Sequence, residues 1–156
     1  MESNKNMDVL LVEDSPDDKE LTMHALTGGS DQFRVKHLSD GVQAVNFILG
    51  KKEYEKEGAQ GLRLILLDLK LPKMDGLEVL RRIKEDERAR TIPVVILTSS
   101  RERKDIFEAY RLGVNSYVVK PVAFDQYVKT IGALATYWNS INEKPVSVLV
   151  EKGVNT

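Results

Sequence analysis

The chain has 156 residues, 42% hydrophobic and 30% charged, the makeup of one globular domain with a core and a short tail. Twenty-three basic residues against 24 acidic ones leave a net charge of -1, so no overall field draws the chain to nucleic acid or to an anionic membrane. The absence of cysteine excludes a disulfide framework and a thiolate metal site and fits a cytoplasmic protein; no apolar run makes a signal peptide or reaches membrane-spanning length.

Met7 to Val12 is a short apolar run closing on Glu13-Asp14, which predicts a strand with carboxylates at its carboxyl end. Ser15-Pro16-Asp17-Asp18 then predicts a helix start, with Ser15 as N-cap, Pro16 at the first helical position and two acids at the positive end of the dipole. That helix is expected to run to about Thr27 and to stop at Gly28-Gly29. Phe33 to Leu38 predicts a second strand, and Asp40-Gly41 leads into a helix with Val42, Val45, Ile48 and Leu49 on one face, ended by Gly50. Lys51 to Arg63 is charged, carries Gly58 and Gly61, and reads as a surface connection.

Leu64 to Leu67 is a continuous apolar run that ends in Asp68 and is followed by Pro72 and Gly76. Such a run suits a strand covered on both faces, as in a parallel sheet, and the turn residues favour strand over buried helix. A helix from about Leu77 to Asp86 would turn Leu77, Leu80 and Ile83 inward. Pro93 to Leu97 predicts a fourth strand ending at Thr98, and Arg103 to Leu112 a fourth helix ending at Gly113. Ser116 to Val119 is a fifth strand closed by Lys120-Pro121. From about Phe124 the last helix carries one stripe of Tyr127, Val128, Ile131, Leu134, Ala135 and Trp138. Five strands alternating with five helices predict an α/β fold, a doubly wound five-stranded parallel sheet with helices on both faces.

In such a sheet Glu13-Asp14, Asp68, Thr98 and Lys120 share the carboxyl edge, where ligands bind. Each has an ordinary reading too: Asp68 as a turn former, Glu13-Asp14 as helix-dipole partners, Thr98 as a strand end and Lys120 as surface charge. Together they say more. Three crowded carboxylates repel unless a cation neutralises them, and an oxygen-only donor set suits Mg²⁺ better than zinc. A phosphoryl group on Asp68 would be met by the Lys120 ammonium and the Thr98 hydroxyl. Neither His24 nor His37 has a partner at ligand spacing, so both read as ordinary histidines.

The stretches LVEDSPDD, LLDLKLPKMDG, VVILTSS and SYVVKP, in that order, resemble the receiver domain of two-component response regulators from Met7 to about Trp138. The resemblance implies a flavodoxin-like strand order 2-1-3-4-5. It also implies a phosphorylation-operated signalling switch: Asp68 accepts a phosphoryl group from a sensor histidine kinase, with Mg²⁺ or, in its place, Mn²⁺ or Ca²⁺. Asp14 would ligate the metal directly and Glu13 largely through metal-bound water, with Asp68 and the backbone carbonyl of Lys70 completing the protein's share of the shell. Thr98 would be the switch hydroxyl, Lys120 the phosphate counter-ion and Tyr117 the aromatic that turns inward on activation, with a cis Lys120-Pro121 bond.

Lys70, the Leu71-Pro72 turn, the long 51–63 connection and the C-terminal extension resemble single-domain regulators paired with phytochrome-type sensor kinases. Residues 1–142 would form the receiver and 143–156 an extension, without a nucleic-acid-binding output domain, signalling through an unidentified protein partner. The apolar VSVLV of the extension, with the last helix, suggests a homodimer contact. Lys70 beside the site also suggests slow self-dephosphorylation. Two rivals remain at this point: a Mg²⁺-dependent aspartate-nucleophile phosphatase, which normally needs an acid where Lys70 stands, and a receiver-like binding module that works without phosphate.

Overall fold

The computed structural model describes residues 7–27, 33–54, 59 and 61–145. Strands β1 (Val9–Val12), β2 (Val35–Leu38), β3 (Leu64–Leu67), β4 (Val94–Thr98) and β5 (Ser116–Val119) alternate with helices α1 (Pro16–Thr27), α2 (Gly41–Ile48), α3 (Gly76–Glu85), α4 (Arg103–Arg111) and α5 (Phe124–Thr136). The strands form one parallel sheet in the order β2-β1-β3-β4-β5, as expected for a flavodoxin-like receiver. Because side chains alternate along a strand, β1, β3 and β4 feed two cores. Leu10, Val12, Ile65, Leu67 and Ile96 pack with α2 and α3, whereas Val9, Leu11, Leu64, Leu66 and Leu97 pack with α1 and α5. All three central strands are buried along their length, which is why they read as unbroken apolar runs.

Helix stripes were displaced from expectation in two places. In α2 the buried residues are Gly41, Ala44, Val45, Phe47 and Ile48, while Val42 stays 37% exposed. In α3 they are Gly76, Val79, Leu80 and Ile83, with Leu77 half-buried. Both helices dock on a glycine whose bare face seats the first turn, so the inward stripe starts at that glycine. A β-carbon at Gly41 would lie 1.9 Å from the Met74 carbonyl oxygen, and one at Gly76 would lie 2.2 Å from that of Asp68.

The 51–63 connection is more than a solvated face. A 3₁₀ turn at Lys52–Tyr54 buries Tyr54 edge-on against Phe47, with ring centroids 5.3 Å apart, and Lys36 Nζ lies 5.4 Å from the Tyr54 centroid. The stop at Gly28-Gly29, Gly58 and the VSVLV segment lie outside the described residues. After α5 the chain makes a π-helical turn at Tyr137–Ile141. No described helix is long and apolar enough to cross a membrane. The Lys120-Pro121 bond is trans, correcting the expected cis isomer: no described peptide bond is cis. Trans is the ordinary preference of an X-Pro bond, and from it Lys120 already reaches the carboxylates at the sheet edge.

Candidate functional site

Strand register gathers the site. Val12 pairs with Leu67, so Glu13 and Asp68 leave the sheet side by side; Thr98 pairs with Val119, so Lys120 emerges one step beyond. The Asp68 N–H still donates to the Val12 carbonyl at 3.1 Å, and the Lys120 N–H to that of Thr98 at 2.7 Å. Backbone bonds of the sheet thus fix the roots of these side chains.

The Lys120 ammonium is the hub. Its Nζ donates to Glu13 Oε1 at 2.9 Å, to Asp68 Oδ2 at 3.0 Å and to Asp18 Oδ2 at 2.7 Å. Glu13 is 1% exposed and Asp68 7%. Burial, and next the charge of Asp68, push the Glu13 carboxyl from its ordinary 4.5 up to about 7, although Lys120 pulls the other way. Burial alone would lower the Lys120 pKa; its bonds to Asp18 and Glu13 and the charge of Asp68 outweigh that and raise it above the ordinary lysine value. One cation shared by three carboxylates leaves negative charge in excess.

The other predicted residues hold looser positions. Asp14 is exposed and makes no hydrogen bond or ion pair with another described residue. Lys70 is exposed, and its N–H points at Asp68 Oδ1 from 3.4 Å. Thr98 is fully buried, its Oγ1 accepting from the Ser100 N–H at 3.4 Å, and it has no hydrogen bond to Asp68. The half-buried Tyr117 donates its hydroxyl to the Ser100 carbonyl at 3.0 Å, and burial raises its pKa. Ser100 in turn donates to Asp105 Oδ2 at 2.6 Å, tying the β4–α4 loop to α4.

Two contacts were not legible beforehand. Asp18, read only as a dipole partner, reaches Lys120, and His37 Nε2 bonds the Glu13 carbonyl at 2.8 Å, bracing the β1–α1 loop. Nothing in a local pattern announces either, because both depend on which strand lies beside which.

The donor chemistry fits a hard divalent cation: Glu13, Asp14 and Asp68 are carboxylates, Asp14 has no other partner, and the charge on Glu13 is under-compensated. The acids are not arrayed around a common point as they stand, however. Among the described residues no three His, Asp or Glu side chains are gathered as a metal site, and Lys120 Nζ lies between Glu13 and Asp68.

Residues 9–132 match the family model described as the response regulator receiver domain. The chain belongs to that family. The chain is 40% identical over 137 residues to the probable methanogenesis regulatory protein FilR2 of Methanothrix harundinacea, covering 88% of this chain and 86% of that one. It is 38% identical to response regulator Rcp1 of Synechocystis over 137 residues, 88% of this chain and 92% of Rcp1. The crystal structure of the phosphorylated cyanobacterial phytochrome response regulator RcpA superposes with a TM-score of 0.84 at 36% identity, covering 91% of this chain and 100% of that one. The Mn(2+)-bound form of Rcp1 gives 0.83 at 36% identity, over 90% and 99% of the two chains. This receiver is a phosphorylation-operated signalling switch homologous to the phytochrome regulators Rcp1 and RcpA, and none of these relatives supports the phosphatase reading.

Proposed function

We propose that Asp68 is the phosphoacceptor of this receiver, loaded from the phosphohistidine of a phytochrome-type sensor histidine kinase in the cytoplasm. The observation that carries the assignment is the Lys120 Nζ to Asp68 Oδ2 contact of 3.0 Å at a strand end, with Glu13 buried beside it. The kinase type is supported by the likeness to Rcp1 and RcpA. In the transfer, an Asp68 carboxylate oxygen forms a bond to phosphorus while the P–N bond to the kinase histidine breaks and its electron pair stays on the imidazole. Lys120 faces the transferred oxygens as a fixed cation, and Thr98, at the end of β4, offers its hydroxyl to one of them. Mg²⁺, held by Glu13, Asp14, Asp68 and the Lys70 carbonyl, would supply charge neutralisation for the acids and the phosphoryl oxygens.

Movement of Thr98 towards Asp68 would disturb the Ser100 N–H that it accepts, and with it the Ser100 carbonyl that holds Tyr117. That chain of contacts links the phosphoryl group to the surface of α4, β5 and α5, where Phe107 and Tyr110 of α4 are exposed for a protein partner. Small donors would serve in place of the kinase. Acetyl phosphate with Mg²⁺ is expected to add one phosphoryl mass to the wild type and none to Asp68→Asn by intact mass spectrometry. Labelling that survives the substitution would refute the assignment.

A further inference from the structure

We propose that Asp18 is a positioning residue that holds the Lys120 ammonium towards α1 in the unphosphorylated protein and competes with an incoming phosphoryl group for it. The inference rests on the reading of Asp68 as phosphoacceptor.

Ser15 and Asp18 stand at the N-cap and third helical positions of α1, the spacing at which an acid usually turns back to accept the cap residue's N–H. Half of that arrangement is present, since the Asp18 N–H donates to Ser15 Oγ at 3.3 Å. The other half is taken over: the Ser15 N–H donates to Glu13 Oε2 at 3.2 Å. Asp18 is thereby released from capping, and its carboxylate makes the shortest of the three Lys120 contacts, 2.7 Å against 2.9 and 3.0 Å.

The three acids differ in how cheaply they can be left. The Asp18 side chain is 36% exposed, so water can replace the ammonium there, whereas those of Glu13 and Asp68 are 1% and 9% exposed. A phosphoryl group draws Lys120 most easily from Asp18. Its arrival breaks the donor's P–O bond, with the electron pair leaving on acetate when acetyl phosphate is the donor, and forms the Asp68 Oδ–P bond. Lys120 changes only hydrogen-bond partners.

Fluoroberyllate, a non-covalent phosphoryl mimic, separates this role from its rivals. It would be titrated with Mg²⁺ and followed by fluorine NMR in the wild type, Asp18→Asn, Asp18→Glu, Lys120→Gln and the Asp18→Asn/Lys120→Gln double variant. Mg²⁺ affinity is measured separately. Asp18→Asn is expected to bind the mimic roughly 3- to 10-fold more tightly, with Mg²⁺ affinity unchanged. Asp18→Glu should stay near the wild-type value, and the gain should vanish in the Lys120→Gln background. Unchanged or weaker binding of the mimic by Asp18→Asn overturns the inference, as does a parallel fall in Mg²⁺ affinity, which would put Asp18 in the cation's shell. A gain that persists without Lys120 overturns it too, since simple repulsion between Asp18 and the mimic would then suffice. Failure of the wild type itself to bind the mimic overturns the Asp68 assignment, and this inference with it.

Discussion

Lys70 shows how one position can separate reaction classes. An acid two residues beyond the acceptor would shuttle a proton and turn over substrate; here the side chain is an exposed cation whose backbone N–H lies 3.4 Å from Asp68 Oδ1. Flanking the acyl phosphate proposed at Asp68, it would obstruct the attacking water. Lys70→Ala is therefore expected to lose phosphate roughly 3- to 10-fold faster, about 0.7–1.4 kcal/mol off the hydrolysis barrier, measured as phosphoprotein decay after donor removal. An unchanged decay would remove Lys70 from the account. Asp68, Thr98 and Lys120 stood out in the sequence because each closes a strand, and strand ends are visible as the end of an apolar run. Asp18 did not, because its partner lies 102 residues away and its own surroundings read as a helix cap.

At the scale of elements, the β3–α3 loop is clamped from both sides. Gly41 donates its N–H to the Pro72 carbonyl at 3.2 Å, Gly76 donates to that of Leu69 at 2.7 Å, and Lys73, at a φ of 71°, pairs with the α2 cap Asp40 at 3.7 Å. Gly41→Ala forces a β-carbon onto the Met74 carbonyl and is expected to cost about 2–4 kcal/mol, read from urea unfolding. Gly132→Ala, in mid-α5 with nothing within 4 Å of the added carbon, is expected to stabilise by up to about 1 kcal/mol. Equal effects would mean that the clamp has no energetic weight. The start of α1 and the end of β5 were legible to the residue, since Ser15-Pro16 and Lys120-Pro121 punctuate them. The inward faces of α2 and α3 were less so: hydrophobicity favours Val42 and Leu77, but a close backbone approach at glycine selects the stripe that goes in.

Over the whole molecule, the buried Glu13 makes stability depend on pH. Its folded pKa of about 7 exceeds the ordinary 4.5, so the folded protein keeps a proton that the unfolded chain releases between those values. This contribution is complete below about 4.5 and is lost as pH rises through about 7. In metal-free protein the urea midpoint is expected to fall across that window, with a slope from this group of at most about 1.4 kcal/mol per pH unit. Glu13→Gln should flatten the fall and Mg²⁺ should oppose it above pH 7; a wild-type profile no steeper than that of Glu13→Gln would exclude the effect. The amino-acid order by itself determined the α/β architecture, since apolar runs, helix caps and turn residues are local and leave few ways to alternate strand and helix. It also marked Glu13, Asp68, Thr98 and Lys120 as polar residues at strand ends that a parallel sheet brings to one edge. Only the folded chain decided how a single ammonium is divided among Glu13, Asp18 and Asp68, that Tyr117 hangs from the Ser100 carbonyl, and that Tyr54 is an anchor. Those outcomes depend on distances between residues far apart in the chain, which strand register and helix docking set and no local pattern encodes.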